Sequence, residues 1–139
     1  MKPVERIAVI DDEPISQELI RLSIKNIFEI KEYLSFCDAG KALAFFEENK
    51  DDASRLRDLV FLDLVMPIVS GMEFLSRFEV LKPVLAKACR IYVMTASISN
   101  EDYERVIQSP LVTQYIVKPV SRDNLKEIFA SFSSTPNYE

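Results

Sequence analysis

Asp63 is the residue hardest to explain as an ordinary surface carboxylate. Four apolar residues, Leu59-Val60-Phe61-Leu62, precede it directly. A carboxylate leaving a buried strand is costly unless it is paired or bound to a cation. Other polar residues follow similar runs. Asp11, Asp12 and Glu13 come after Arg6-Ile7-Ala8-Val9-Ile10, Thr95 after Ile91-Tyr92-Val93-Met94, and Lys118-Pro119 after Tyr115-Ile116-Val117. Each has a mundane reading. An Asp-Asp pair after a strand is commonly a solvated turn, a lysine before proline is usually a surface lysine, and a threonine can simply end a strand. Their recurrence at successive run ends is what singles them out.

The elements that would carry them are legible. Five short apolar runs, with Tyr33-Leu34-Ser35-Phe36 as the weakest, alternate with helix-like stretches. The first, third and fourth runs are nearly continuous rather than alternating, which suits strands buried on both faces of a parallel sheet. Helical spacing joins Ile20, Ile24, Ile27 and Phe28, then Leu43 and Phe46, then Phe74, Leu75 and Phe78, and finally Leu125, Ile128, Phe129 and Phe132. Ser99 and Ser121 are candidate N-caps, with Asp102 and Asn124 three residues on. Pro83 and Pro110 punctuate the later segments. Strand–helix alternation over five units predicts an α/β fold with right-handed crossovers. The common doubly wound order at this size is 2-1-3-4-5, in which strand 2 is an edge. In such a sheet ligands gather beyond the carboxyl ends of the strands. Asp11, Asp12, Asp63, Thr95 and Lys118 would then converge on one rim, supplied by strands 1, 3, 4 and 5.

Composition narrows the chemistry further. The 139 residues fit one domain, with residues 133–139 read as a flexible C-terminal tail. There is no histidine, so Ser-His-Asp and Cys-His mechanisms within this chain are excluded, as is a His-ligated metal. The net charge is -5 and there is no basic run, which argues against direct nucleic-acid binding. With only Gly40 and Gly71, a glycine-rich nucleotide loop is excluded. No apolar run is long enough to span a bilayer, and no signal peptide fits the N-terminus, so a cytoplasmic location without membrane attachment is expected. Cys37 and Cys89 form no CxxC and read as two reduced thiols.

Ile10-Asp11-Asp12-Glu13-Pro14 resembles the opening motif of the response-regulator receiver domains of two-component signalling, and the chain is expected to be of their stand-alone, chemotaxis-regulator-like type. Asp63-Leu64-Val65-Met66-Pro67-Ile68-Val69-Ser70-Gly71 resembles their phosphorylation loop, Thr95-Ala96 and Lys118-Pro119 match the two remaining signatures, and Ala39-Gly40-Lys41-Ala42-Leu43 resembles the start of the family's second helix. The order of the motifs is the family's, and the resemblance covers about residues 4–132. Two stretches depart from the pattern. Ser109-Pro110-Leu111-Val112-Thr113-Gln114 stands where the family carries a Gly-Ala-type turn, and Met72 to Arg90 is longer and richer in lysine than usual.

The resemblance implies a receiver domain over residues 1–132 with a flavodoxin-like sheet of five parallel strands, order 2-1-3-4-5, and five helices. It implies that Asp63 is the phosphoacceptor and nucleophile, with Lys118 and Thr95 contacting phosphoryl oxygens. A hard divalent cation, Mg²⁺ or Mn²⁺, would be held by Asp12 and Asp63, by Asp11 through water, and by the backbone carbonyl of Val65. Thr95 and Tyr115 would form the switch, read out on the face of strands 4 and 5 and the helices that follow them. The implied partners are a histidine kinase or histidine phosphotransfer protein as donor, since this chain has no histidine of its own, and a downstream protein target. Homodimer formation on phosphorylation is compatible with this. The chain would be a phosphorelay or signalling switch rather than an enzyme on other substrates, assisting its own phosphorylation and slow dephosphorylation.

Two other readings use the same residues. An aspartate-nucleophile phosphatase acting on small molecules usually needs a DxD-type motif and a cap; here the acids are adjacent and no cap-sized insertion exists. A pseudo-receiver that only binds partners would lack Asp63, Lys118 or one of the paired acids, and all are present.

Overall fold

The computed structural model describes residues 6–27, 29–64, 70–95, 104, 106 and 108–133. Five strands form one sheet: β1 (Arg6–Ile10), β2 (Glu32–Phe36), β3 (Leu59–Asp63), β4 (Arg90–Thr95) and β5 (Val112–Val117). All pairings are parallel and the order is β2-β1-β3-β4-β5, as expected. Four α-helices have described bounds: α1 (Pro14–Ile27), α2 (Ala39–Glu48), α3 (Gly71–Leu81) and α4 (Arg122–Ser133). The expected count of five helices is therefore corrected to four among the described residues. The fifth was expected between β4 and β5, where Glu104 and Val106 are helical but residues 96–103, 105 and 107, including the expected cap Ser99, lie outside the described residues.

The strands sort their side chains by parity, because successive residues in a strand point to opposite faces. Ala8, Ile10, Val60, Leu62, Ile91 and Val93 pack with Ala42 and Phe46 of α2 and Phe74, Phe78 and Leu81 of α3. Ile7, Val9, Leu59, Phe61, Tyr92, Met94 and Ile116 pack on the other face with Ile20 and Ile24 of α1 and Leu125, Ile128 and Phe129 of α4. Both faces of β1, β3 and β4 are thus covered, which is why those sequences run apolar without alternation. The edge strands read weakly because they keep solvent-exposed positions.

β5 starts three residues before the apolar run that signals it. Val112 pairs with Ile91, but Tyr92 pairs with Gln114, so Thr113 is an extra residue in the ladder. The bulge falls in the stretch that departs from the family's turn pattern. Pro83 sits in a single 3₁₀ turn, Lys82–Val84, that closes α3, as a proline without an N–H should.

Helix starts are fixed by side chains. Asp38 accepts from Gly40 N at 2.6 Å and Lys41 N at 3.3 Å, and Ser70 accepts from Glu73 N at 3.1 Å. Ser121 and Asn124 exchange reciprocal bonds, Asn124 N to Ser121 Oγ at 3.0 Å and Ser121 N to Asn124 Oδ1 at 3.2 Å. Among the described residues no helix is long and apolar enough to cross a membrane.

Candidate functional site

Each chemistry-bearing residue is delivered by the carboxyl end of a strand. β1 ends at Ile10 and Asp11 continues from it, tied to β2 by a hydrogen bond from Asp11 N to Phe36 O of 2.9 Å. Asp63 is the last residue of β3 and Thr95 the last of β4. Lys118 follows β5, and its N–H donates to Thr95 O at 2.8 Å; the Lys118–Pro119 peptide bond is cis. β2 contributes no side chain to this group.

Asp11, Asp12 and Asp63 each place a carboxylate oxygen within 4.8 Å of the others. Asp11 is fully buried and Asp63 is 6% exposed, whereas Asp12 is exposed at the mouth. Lys118 Nζ lies 2.7 Å from Asp11 Oδ2 and 3.2 Å from Asp63 Oδ2, bridging the two buried acids. Burial alone would lower the Lys118 ammonium, but the hydrogen bond to Asp11 and the charges of both carboxylates outweigh it and hold its pKa above the ordinary value. The result is three acids against one ammonium. Oxygen ligands of this kind are what a hard divalent cation takes.

Thr95 is 1% exposed at the carboxyl end of β4 and pairs with Val117. Tyr115 pairs with Val93 and is half-buried against the α2/α3-side core. Thr95 and Tyr115 fall on the same parity as Val93 and so on the same side of the sheet. Val65, expected to offer its carbonyl, lies outside the described residues. All the other expected site residues except Tyr115 reach the rim, and Tyr115 sits one strand step behind it.

Gly71 brings the start of α3 against the backbone of Asp63 and Leu64. Its N–H donates to Leu64 O at 2.9 Å, and a Cβ there would lie 2.5 Å from Asp63 O and 2.6 Å from Leu64 Cα. Only glycine lets the start of α3 come this close to the backbone of Asp63.

Gln17, beside the site, is a buried polar residue that the sequence did not single out. It is buried in α1, and its Nε2 donates to Val9 O, Asp11 O and Phe36 O at 3.1, 3.0 and 3.1 Å. The signal was present: Gln17 stands three and seven residues before Ile20 and Ile24, on the apolar stripe of its helix. A polar side chain at such a position must find buried partners.

With this geometry in view, the chain matches the response regulator receiver domain model over residues 7–130. It is 30% identical over 125 residues to hybrid signal transduction histidine kinase I of Dictyostelium discoideum, covering 89% of this chain and 7% of that protein. It is 22% identical to the two-component response regulator ORR1 of Oryza sativa, covering 90% of this chain and 54% of that protein. The chain thus spans only part of the length of these relatives. Among solved structures, a two-component response regulator from Cytophaga hutchinsonii superposes with a TM-score of 0.85 at 19% identity, covering 96% of this chain and 100% of that one. The receiver domain of the histidine kinase CKI1 from Arabidopsis thaliana, complexed with Mg²⁺, superposes with a TM-score of 0.74 at 19% identity, covering 89% and 91%. The structural neighbours share the flavodoxin-like fold, and the family model spans nearly the whole sequence: this chain belongs to the response regulator receiver domain family.

Proposed function

We propose that this receiver domain accepts a phosphoryl group on Asp63 and relays that state by a change of shape. The observation that carries the reading is the bridge of Lys118 Nζ between Asp11 and Asp63 inside a triad of carboxylates. Phosphoryl transfer asks a protein mainly for positioning and charge neutralisation. A carboxylate oxygen of Asp63 attacks phosphorus, the P–N bond to the donor histidine breaks, and its electron pair returns to the imidazole nitrogen. The product is an aspartyl phosphate. The donor, as family membership implies, would be a phosphohistidine on a kinase or phosphotransfer protein; this chain contains no histidine and so cannot itself be that donor.

The donor set fits a hard divalent cation: three carboxylates within reach of one another, with more negative charge than Lys118 balances. Asp12 and Asp63 would hold Mg²⁺ or Mn²⁺ directly, Asp11 through water, and Val65 by its carbonyl. When bound, the cation neutralises charge on the transferring phosphoryl oxygens. Lys118 would then turn from the two acids to a phosphoryl oxygen, and Thr95 Oγ would donate to another.

Phosphorylation adds about −1.5 to −2 of charge and three strong acceptors, which gives Thr95 a reason to move inward. Tyr115 would follow into the space beside β4, changing the face of β4, β5 and the helices that follow each of them, which a downstream protein or a second copy reads. Slow loss of the phosphoryl group fits an apolar Val65, whose side chain cannot orient a water. On this reading the chain is a phosphoacceptor switch and not an enzyme on other substrates, and it works where two-component partners reach it, in the cytoplasm.

Incubation with Mg²⁺ and acetyl phosphate, followed by intact mass, tests the reading. The wild type should gain one phosphoryl group and Asp63→Ala none. Equal phosphorylation of both would overturn it.

A further inference from the structure

Asp11 is immobilised at every polar group it has. Its N–H donates to Phe36 O at 2.9 Å, its Oδ1 accepts from Glu13 N at 2.9 Å, and its Oδ2 accepts from Lys118 Nζ at 2.7 Å. The fourth group, its backbone carbonyl, accepts from Gln17 Nε2 at 3.0 Å. That same nitrogen also reaches Val9 O and Phe36 O, so one side chain from α1 clamps the carboxyl ends of β1 and β2 together. Phe36 O is itself the acceptor of the Asp11 N–H, so Gln17 holds Asp11 both directly and through its β2 partner.

The orientation of the amide follows from its surroundings. A side-chain amide nitrogen carries two N–H donors, and here three carbonyl oxygens surround it, so at least one hydrogen is shared. Turning the amide over would set its own oxygen against all three. Gln17 Oε1 is buried and has no hydrogen-bond partner among the described residues. A buried carbonyl left without a partner is destabilising. A residue kept only to fill this place could do so without that cost. The same amide offsets that cost with its donations to Val9 O, Asp11 O and Phe36 O.

We infer that Gln17 is a positioning residue for the acidic site: it fixes the backbone of Asp11 so that its carboxylate meets Lys118, Asp63 and the cation in one arrangement. The inference deepens the proposed function and rests on that reading of the site. Gln17 touches neither the reacting atoms nor the cation, and it acts through Asp11.

The test is Gln17→Met, which keeps the length and loses the donors. Phosphorylation by acetyl phosphate is followed against Mg²⁺ concentration at a temperature where both proteins are fully folded. A positioning role raises the half-saturating Mg²⁺ concentration about tenfold and leaves the rate at saturating Mg²⁺ within about threefold. A merely structural role lowers the melting temperature and leaves the Mg²⁺ dependence unmoved, which would overturn the inference. Should Gln17→Met not fold, NMR on the wild type decides. Mg²⁺ should shift the Gln17 side-chain amide together with the Asp11 backbone amide, and a Gln17 amide that stays still while Asp11 moves would contradict the inference. A wild type that shows no Mg²⁺-dependent phosphorylation overturns the reading of the site and this inference with it. A wild type that responds, matched by Gln17→Met, overturns the Gln17 assignment alone.

Discussion

At the scale of single residues, burial separates side chains of the same type. Cys89 is buried beside β4 while Cys37 is exposed after β2. Burial pushes the Cys89 thiol up to about 12, so almost no thiolate forms at neutral pH. Native protein treated with a maleimide should gain one label, on Cys37, and a second only in denaturant; two labels under native conditions would contradict this. Arg57, 1% exposed, hydrogen-bonds Glu32 on the edge strand and stacks over Phe45 with its guanidinium carbon 5.3 Å from the ring centroid. The Arg57 hydrogen bond holds the Glu32 carboxyl below its ordinary range. A carboxyl depressed in the folded state contributes stability above about pH 4.5, which is lost as the pH falls through its folded value. Urea unfolding should therefore show Glu32→Gln less stable than wild type at pH 7, with the gap closing toward pH 3. A gap that stays constant would mean the ion pair contributes nothing. The site residues were legible because they follow apolar runs and match motifs in order. The burial of Gln17 was legible from its place on the apolar stripe of α1, but its partners, like those of Arg57, are brought together only by the fold.

At the scale of elements, the sheet was readable where strands are covered on both faces and harder to read where they are not. β1, β3 and β4 announced themselves as continuous apolar runs. β5, at an edge, showed only its last three residues, because Val112, Thr113 and Gln114 include exposed and bulged positions. The cap Ser121–Asn124 was legible from type and spacing alone, since those residues need only each other. The steric duty of Gly71 was not: it comes from the approach of α3 to β3, a tertiary fact. Gly71→Ala places a methyl group against backbone atoms, with no flexible side chain to yield. It should cost about 1–3 kcal/mol in urea unfolding, as overpacking does. It should also slow phosphorylation, because the atom it displaces belongs to Asp63. A variant as stable as wild type would show that the start of α3 and the backbone of Asp63 and Leu64 move apart freely.

At the scale of the whole molecule, the fold accepts a local penalty to keep its site. Three carboxylates meet at one rim with Lys118 reaching two of them, so the metal-free protein carries repulsion that unfolding would relieve. Asp12→Ala should stabilise the metal-free protein by about 0.5–2 kcal/mol, an exchange of function for stability. Mg²⁺ should raise the melting temperature of the wild type by mass action and shift Asp12→Ala much less. Equal shifts would mean that the cation binds elsewhere. The central claim is the chemistry at Asp63, and trapping the acyl phosphate tests it most directly. After phosphorylation with Mg²⁺ and acetyl phosphate, borohydride reduces an aspartyl phosphate to homoserine, which peptide mapping locates. The account predicts reduction at position 63 alone, dependent on Mg²⁺. Reduction at Asp11 or Asp12, or a phosphoryl group on any side chain other than Asp63, would contradict it.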